Sequence, residues 1–400
     1  MNKKGESSTL VGTIDSEEMK NKQLKRALAD DFGDSIKSNK VLILFGARRV
    51  GKTELLKNYL KGINSSEYLL LNGDDQATTD LLNERTVVNY KRLMGKQTLL
   101  IIDEAQKIPD IGAKLKLMVD EIEGIKIVVT GSSVFDLSNK LGEPLVGRKE
   151  TLWLHPMSQM EFSVYENYLQ TTEKLEERMV FGSYPELEHI SDWKDKEDYL
   201  YGIVNDYLLK DILEFEGIKK SNKLIDLLRL VALQVGSEVN IDELAKNLKG
   251  ISRNTVEQYL DLLTKVFVLY NVRGYSNNLR KEITKTSKWY FHDNGIRNAI
   301  IRNFNPLQFR TDTGALWENY LASERVKHNS YSKNRVNTYF WRTYDQQELD
   351  WVEEGNGQLI GYEFKWNEKK KVKAPAAWSR GYPSASFEVI TRGNYLDWII

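Results

Sequence analysis

Short, continuous apolar runs alternate with amphipathic stretches through the first part of the chain. The clearest runs cover residues 41–45, 97–102 and 125–130, and each has the length of a strand that is buried on both faces. The helical stretches between these runs indicate parallel strands that are covered by helices on both sides. The pattern therefore predicts an α/β fold in which a ligand binds at the carboxyl ends of the strands.

The pattern of apolar positions changes after this region. It becomes helical from residue 158, with a break at 181–185, and then indicates a helix, a turn and a second helix followed by short strands. Strands between helices return near the C-terminus. We therefore predict five segments: a leader at 1–22, an α/β core at 23–157, a helical subdomain at 158–220, a winged helix at 221–286 and a C-terminal α/β domain at 287–400.

A glycine-rich sequence follows the first apolar run directly. Residues 46–53 read Gly-Ala-Arg-Arg-Val-Gly-Lys-Thr, and a helical pattern begins immediately afterwards. A strand, a tight turn and a helix N-terminus in this order direct several backbone N–H groups at one point, which suits a polyphosphate. We expect Lys52 to reach the β- and γ-phosphates and Thr53 to hold Mg²⁺. The nucleotide-binding residues predicted here are Gly46, Ala47, Arg48, Arg49, Val50, Gly51, Lys52, Thr53 and Glu54.

Polar residues at the ends of later strands complete the predicted nucleotide site. Asp103 and Glu104 come at the end of the second run. A nucleoside triphosphatase with such a phosphate-binding loop has its Mg²⁺-supporting aspartate and its water-activating glutamate at this position. Ser132 follows the third run and is either a polar sensor of the γ-phosphate or the N-cap of the next helix. Arg148 either supplies positive charge for phosphoryl transfer, within the chain or across a subunit boundary, or forms a surface ion pair.

The composition limits the cellular setting and the partners. The 400 residues carry 57 basic and 57 acidic side chains, so the formal net charge is zero and nucleic acid must bind through a local patch. The absence of cysteine excludes disulfides and thiolate metal sites. No stretch of the sequence reads as a signal peptide or reaches the ~20 apolar residues of a membrane span. We expect a soluble, cytoplasmic protein without a membrane partner.

A second group of charged residues lies near the C-terminus. Glu363 and Lys365 flank Phe364 in a predicted strand, so their side chains project from the same face. Asp350 lies on a neighbouring predicted strand, and Glu318 lies on a preceding helix. These carboxylates could bind Mg²⁺ while Lys365 orients or activates a water for attack on a phosphodiester. The alternative is a set of cross-strand ion pairs on an exposed sheet face.

The helix pair within 221–286 is a candidate for DNA contact. Arg253 and Asn254 open its second helix, at the position from which a helix-turn-helix reads base edges. Glu257 and Asp261 lie on the same helix and repel phosphates. The alternative is therefore a winged helix that serves only as a packing module.

Several short motifs occur together in a specific order. They read Gly-Ala-Arg-Arg-Val-Gly-Lys-Thr at 46–53, Ile-Ile-Asp-Glu-Ala-Gln at 101–106, Thr-Gly-Ser-Ser at 130–133, Val-Gly-Arg at 146–148, Phe-Gly-Ser-Tyr-Pro at 181–185, Trp-Glu-Asn-Tyr at 317–320, Glu-Leu-Asp-Trp-Val at 348–352 and Glu-Phe-Lys at 363–365. This order resembles a group of bacterial and archaeal AAA-superfamily P-loop ATPases. In that group an ATPase core precedes a winged helix and a C-terminal domain of unknown function with restriction-endonuclease-like motifs of the PD-(D/E)xK type.

The resemblance implies ATP and Mg²⁺ as cofactors and a nuclease-like fold for the C-terminal domain. Ala47 stands where that group frequently has proline, and Ser183 where it frequently has a second glycine; neither change affects a phosphate or metal ligand. Our leading hypothesis is an ATP-hydrolysing switch coupled to a nuclease-like domain that acts on or binds DNA. The expected partners are DNA and, if Arg148 acts across a subunit boundary, further copies of the chain. The alternatives are a nucleotide-dependent regulatory or interaction module with a catalytically inactive nuclease fold, and a transcription factor.

Overall fold

The computed structural model describes residues 24–132, 145–208, 221–276, 287–370 and 372–400. The predicted leader at 1–22 lies outside these residues. The described chain has a parallel sheet in its N-terminal part and a larger mixed sheet in the remainder, with helices packed on both. The prediction of an α/β fold with a parallel core is confirmed.

The first sheet has five described strands, three of which coincide with the apolar runs of the sequence. The five are β1 (Lys40–Phe45), β2 (Tyr68–Asn72), β3 (Leu99–Asp103), β4 (Lys126–Gly131) and β5 (Lys149–Trp153). These described strands are all parallel, in the order β2-β3-β4-β1-β5. Val41 and Ile43 pack in one apolar cluster and Leu42 and Leu44 in another, because β1 is covered on both faces. The carboxyl ends of β1, β3 and β4 therefore meet at one edge.

Four helices connect or cover these strands within the described residues. They are α1 (Lys52–Leu60), α2 (Gln76–Asn83), α3 (Val87–Met94) and α4 (Ile111–Glu121). Asp75 caps α2 and Thr86 caps α3, since each side chain accepts a hydrogen bond from a backbone N–H of the first turn.

The described residues of the next segment, 158–208, are mostly helical. It contains α5 (Gln159–Phe162), α6 (Tyr168–Phe181), a 3₁₀ turn (Pro185–His189), α7 (Trp193–Gly202) and a π-helical turn (Ile203–Leu208). Capping boxes begin α5 and α6. Gly182, which has a φ of +75°, ends α6, and a Cβ added there would lie 2.0 Å from Asp293 Oδ1. The predicted break thus packs directly against a residue more than a hundred positions later in the chain.

Three helices and three strands follow in the described part of 221–291. They are α8 (Ser221–Leu233), β6 (Glu238–Val239), α9 (Ile241–Leu248), α10 (Arg253–Lys265), β7 (Leu269–Gly274) and β8 (Ser287–Phe291). Asn240 caps α9 and Ser252 caps α10. β8 lies between β6 and β7 and is antiparallel to both.

The C-terminal part extends the same sheet. Its elements are α11 (Asn294–Ile301), α12 (Thr313–Tyr331), β9 (Asn337–Arg342), β10 (Glu348–Gly355), β11 (Gln358–Phe364), α13 (Ala376–Gly381), β12 (Ser386–Ile390) and α14 (Tyr395–Ile399). A short parallel pairing of β7 with β9 joins seven described strands in the order β12-β11-β10-β9-β7-β8-β6. The segment boundary predicted between 286 and 287 falls inside this sheet, because β8 pairs with strands on the other side of it.

Candidate functional site

The glycine-rich loop connects β1 to α1. A Cβ added at Gly46 would lie 2.3 Å from the backbone oxygen of Leu154, so only glycine fits there. Gly51 has a φ of +96°, a conformation that favours glycine. Because α1 begins at Lys52, its free backbone N–H groups face the loop. The loop therefore has the strand, turn and helix geometry that binds phosphate.

Lys52 and Thr53 place a cation and a hydroxyl at this loop. The Lys52 ammonium is buried and donates hydrogen bonds to the backbone oxygens of Gly46, at 2.8 Å, and Ala47, at 3.0 Å. The Thr53 hydroxyl donates to Asp103 Oδ2 at 2.8 Å. A hydroxyl and a carboxylate oxygen side by side are ligands that Mg²⁺ prefers, so this pair fits the predicted ion.

Thr130, at the end of β4, orients both acidic residues of the site. Its hydroxyl donates to Asp103 Oδ1 and accepts a hydrogen bond from the backbone N–H of Glu104, with an N–O distance of 3.0 Å. Glu104 has a φ of +50°. A Cβ at Gly73 would lie 2.2 Å from the Glu104 backbone oxygen, so glycine is needed where β2 passes this turn. Sequence reasoning missed the role of Thr130.

Ser132 is connected to Glu104 through a second side chain. Gln106 Nε2 donates to Glu104 Oε2 at 2.5 Å and to the Ser132 hydroxyl at 3.2 Å. Ser132 is buried and, with Ala47 and Arg48, lines a small cavity of about 30 Å³ behind the loop. The alternative role as N-cap concerns residues after 132, which lie outside the described ranges.

Arg148 lies at the opposite edge of the parallel sheet. Its backbone oxygen accepts a hydrogen bond from Val41 N at 2.9 Å, at the amino end of β1, whereas the glycine-rich loop follows the carboxyl end. Its guanidinium forms an ion pair with Asp120, with Nε and Oδ1 2.5 Å apart. The structure therefore does not bring Arg148 to the phosphate loop of its own chain, and a contribution across a subunit boundary stays a prediction.

An open cavity of about 830 Å³ lies against the loop, α1 and Glu104. Its other wall comes from the helical segment, through Pro185, Glu186, His189 and Tyr199. The volume lies within the range of about 300–1,000 Å³ that is usual for small-molecule sites. Sequence reasoning did not assign these wall residues, although the break at 181–185 marked the turn that carries the first three.

Arg26 connects the loop to two distant segments. Its guanidinium donates to the backbone oxygen of Val50 within the loop, and to that of His155 at 2.6 Å. It forms a buried ion pair with Glu161 at 2.9 Å and also contacts the hydroxyl of Tyr331, the last residue of α12, at 3.3 Å. Together these contacts hold the core, the helical segment and the C-terminal domain around one buried charge. The sequence offered no local sign of this role.

The charged residues predicted near the C-terminus do come together. Lys365 Nζ lies 2.5 Å from Glu363 Oε1. Asp350, on β10, is buried and its Oδ2 accepts a hydrogen bond from the backbone N–H of Phe364 at 2.7 Å. Glu318 faces the same cluster from α12, since Asp350 acts electrostatically on both Glu318 and Glu363.

Two further residues of this cluster escaped sequence reasoning. Lys288, on β8, is buried and its ammonium lies 3.1 Å from Glu318 Oε1 and 3.8 Å from Asp350 Oδ1. The Tyr290 hydroxyl donates to Glu318 Oε1 at 2.7 Å. Lys288 and Tyr290 are two positions apart on β8, so their side chains point to the same face of the sheet. The pattern of the strand was visible in the sequence, but its position opposite α12 was not.

The environment of the cluster shifts its protonation equilibria. Burial raises the pKa of Glu318 to about 7, although the Lys288 ammonium opposes this shift. Burial lowers the pKa of Lys288, but Glu318 and Asp350 outweigh it, so that this pKa lies above its usual value. Among the residues that the structure describes, no three acidic, histidine or cysteine side chains are arranged to hold a metal ion. The Mg²⁺ site predicted from Glu318, Asp350 and Glu363 stays a prediction.

Three relatives of the chain, each described as an uncharacterized protein, come from bacteria and an archaeon. A protein of Haemophilus influenzae is 26% identical over 291 residues, which cover 65% of this chain and 69% of the relative. One from Methanocaldococcus jannaschii is 25% identical over 360 residues, or 86% of this chain and 78% of the relative. One from Mycobacterium tuberculosis is 25% identical over 328 residues, or 81% of this chain and 70% of the relative.

Within the described residues, no helix is both long and apolar enough to cross a bilayer.

Three family matches divide the chain. Residues 172–307 match a domain of unknown function (DUF8612), and residues 313–394 match another (DUF4143). Residues 38–163 match an AAA domain, and this range contains the parallel sheet, the glycine-rich loop, Asp103 and Glu104. The chain therefore contains a P-loop ATPase domain of the AAA type, followed by a C-terminal domain of unknown function.

Proposed function

We propose that the chain is an ATP-hydrolysing switch that controls a nuclease-like C-terminal domain, which acts on or binds DNA. The AAA domain supports nucleotide binding and ATP hydrolysis. Coupling between the ATP site and the C-terminal domain is supported by the contacts of Arg26. This residue contacts Val50 within the loop and Tyr331 at the end of α12. A shift of the loop between nucleotide states would move a buried charge that α12 also contacts.

The residues of the loop and of the neighbouring strands have distinct roles in ATP hydrolysis. Lys52 binds the β- and γ-phosphates, and Thr53 and Asp103 hold Mg²⁺, which offsets the negative charge of the phosphates when bound. Glu104 positions the attacking water and accepts its proton. Thr130 fixes the Asp103 carboxylate and the backbone of Glu104, and Gln106 donates to the Glu104 carboxylate.

DNA contact is the proposed output of the C-terminal half. The order of α8, β6, α9, α10, β7 and β8, with β8 in the middle, supports a winged helix with α10 as its recognition helix. Arg253 on α10 pairs with Asp242, at 3.0 Å, and Glu257, at 2.9 Å. Exposed pairs of this kind are worth at most about 1 kcal/mol each, so a DNA phosphate can replace them.

The decisive experiment measures ATP binding and hydrolysis, and DNA binding and cleavage, in the same variants. Lys52→Ala should lose nucleotide binding, because it removes the ammonium from the loop. Glu104→Gln should bind ATP but hydrolyse it orders of magnitude more slowly. A fluorescent ATP analogue measures binding, and phosphate release measures hydrolysis. Lys61→Ala, an exposed lysine just after α1, is the matched control and should behave as the parent.

The same proteins are then incubated with single-stranded, duplex and branched DNA, with Mg²⁺ or Mn²⁺ and with or without ATP. Cleavage that disappears in Asp350→Ala and Lys365→Ala would support a nuclease. Binding that differs between Lys52→Ala and Glu104→Gln, without cleavage, would support the regulatory alternative. Sequence-selective duplex binding that Arg253→Ala abolishes would indicate a transcription factor. The switch proposal fails if DNA binding and cleavage are identical in every nucleotide state.

A further inference from the structure

The carboxylates of the C-terminal cluster already have a cation between them. The Lys288 ammonium lies 3.1 Å from Glu318 Oε1 and 3.8 Å from Asp350 Oδ1. These are the two carboxylates that a nuclease interpretation would assign to a shared divalent ion. Mg²⁺ binds carboxylate oxygens at about 2.0–2.1 Å, so an ion in contact with both would need the space that this ammonium fills.

Other donors also contact the carboxylates around that space. The Tyr290 hydroxyl donates to Glu318 Oε1 at 2.7 Å, and the backbone N–H of Phe364 donates to Asp350 Oδ2 at 2.7 Å. The third carboxylate, Glu363, has its own ammonium partner in Lys365 at 2.5 Å. Each acid therefore has at least one protein donor beside it, with which a metal ion would have to compete.

Lys288 is held in this position by the sheet. It lies on β8, where its backbone is paired with Glu238 of β6 and Val272 of β7. Only 2% of its side chain is exposed, and its ammonium lies 5.6 Å from the centre of the Phe340 ring. A lysine on an interior strand cannot turn towards solvent without breaking this packing, and leaving Glu318 and Asp350 without a partner would be costly.

We propose that Lys288 is a built-in counter-ion that takes the place of a divalent metal, so that the C-terminal domain binds DNA without metal-dependent cleavage. The inference rests on the nuclease-like interpretation in the proposed function and selects its non-cleaving alternative. It also gives Lys288 a role that Lys365 does not have. Lys365 pairs with an acid at the end of β11, whereas Lys288 neutralises the two acids on α12 and β10.

Mn²⁺ binding to the full chain without nucleotide tests the proposal. All proteins carry Asp103→Asn, which removes the metal ligand near the glycine-rich loop, and electron paramagnetic resonance counts the free Mn²⁺. We expect this parent to bind no Mn²⁺ that depends on Asp350. Adding Lys288→Met should create one site, at least about tenfold tighter than any site of the parent, because a positive charge within 4 Å of the ion is gone. Adding Asp350→Asn should remove it.

Two results would overturn the proposal. One is Mn²⁺ binding by the parent that is lost when Asp350→Asn is added, because the site would then exist while Lys288 is still present. The other is a folded Lys288→Met or Lys288→Gln protein, checked by thermal unfolding, that gains no site. Lys194→Met, which removes an exposed lysine on α7, controls for a general change in charge and should gain nothing. Since neither ATP nor DNA is present, failure of the switch proposal would leave these outcomes unchanged.

Discussion

The hydroxyl of Thr130 has two partners on one neighbouring strand. It donates to the Asp103 carboxylate and accepts from the Glu104 backbone, and Thr130 is fully buried. Asp103 also accepts from Thr53, so its two oxygens are held by residues from the end of β4 and the first turn of α1. The position of the Asp103 carboxylate, which we propose supports the metal ion, therefore depends on a residue that has no contact with the glycine-rich loop among the hydrogen bonds described.

Thr130→Val should impair catalysis more than nucleotide binding. Valine has the same shape but cannot bond to Asp103 or Glu104, and a lost hydrogen bond to a charged group costs about 1.5–3 kcal/mol. If the loss falls on the transition state, kcat for ATP decreases by roughly 10- to 100-fold, while the Kd of an ATP analogue changes little. Steady-state kinetics and fluorescence titration measure the two. Thr130→Ser keeps the hydroxyl and should retain most activity; equal kcat in Thr130→Val and parent would refute this role.

At the level of elements, α12 connects the two sites. Glu318 lies near its start, in the charged cluster, and Tyr331 is its last residue, beside Arg26 and the backbone N–H of His155. Their separation of thirteen positions corresponds to about 20 Å of helix. Between them, Glu324 accepts from Gln159 N at 2.7 Å and the Lys327 ammonium donates to the backbone oxygen of Met157 at 2.9 Å. The helix is thus fixed to the region that follows the ATPase sheet.

Tyr331→Phe should weaken the coupling and leave the ATP site intact. The change removes only the hydroxyl that contacts Arg26 and His155, so ATP binding and hydrolysis should stay within about twofold of the parent, as for mutations outside a site. The difference in DNA affinity between the ATP-bound and nucleotide-free protein should shrink. Fluorescence anisotropy with labelled DNA measures it. Tyr344→Phe, at a fully exposed tyrosine, should keep the parent's difference. An unchanged difference in Tyr331→Phe would exclude this route.

Local patterns explain which elements and site residues were predictable. The strands of the core, the glycine-rich loop, Asp103 and Glu104 are contiguous in sequence or follow a strand directly, so periodicity and spacing suffice. Thr130, Arg26 and Lys288 act through contacts with residues that are distant in the sequence. Their roles depend on strand order and on how α12 packs, which no local pattern encodes. The boundary expected at 286/287 failed to separate two sheets for the same reason: β8 pairs with β6 and β7.

For the whole molecule, two half-buried histidines lie where the ATPase core meets the second sheet. His155 follows β5 and His292 follows β8, and their ring centres are 6.1 Å apart. Burial, and to a lesser extent the Lys327 ammonium, lowers the pKa of His292 to about 4. Burial and then His292 lower the pKa of His155 well below its usual range. Both rings are therefore neutral in the folded protein at neutral pH.

Folding should weaken as the pH falls from about 6.5 to about 4. In that range the unfolded chain binds protons at both histidines and the folded chain does not, so each contributes up to about 1.4 kcal/mol of lost stability per pH unit. His292→Gln should reduce the slope of unfolding free energy against pH by up to this amount. Urea titrations at several pH values measure the slope, which is independent of any constant packing loss. An unchanged slope would show that His292 does not carry the effect.

The continuity of the second sheet sets how this protein can be divided. A fragment beginning at Thr313, near the start of the C-terminal family match, would keep Glu318 and Asp350 but discard the strand that carries Lys288. It would also strip β9 of its partner β7 and leave an open edge, a known route to aggregation. We therefore expect that the C-terminal domain does not fold independently of the preceding strands. Genetic transfer or biochemical isolation would have to carry β6, β7 and β8 along with it.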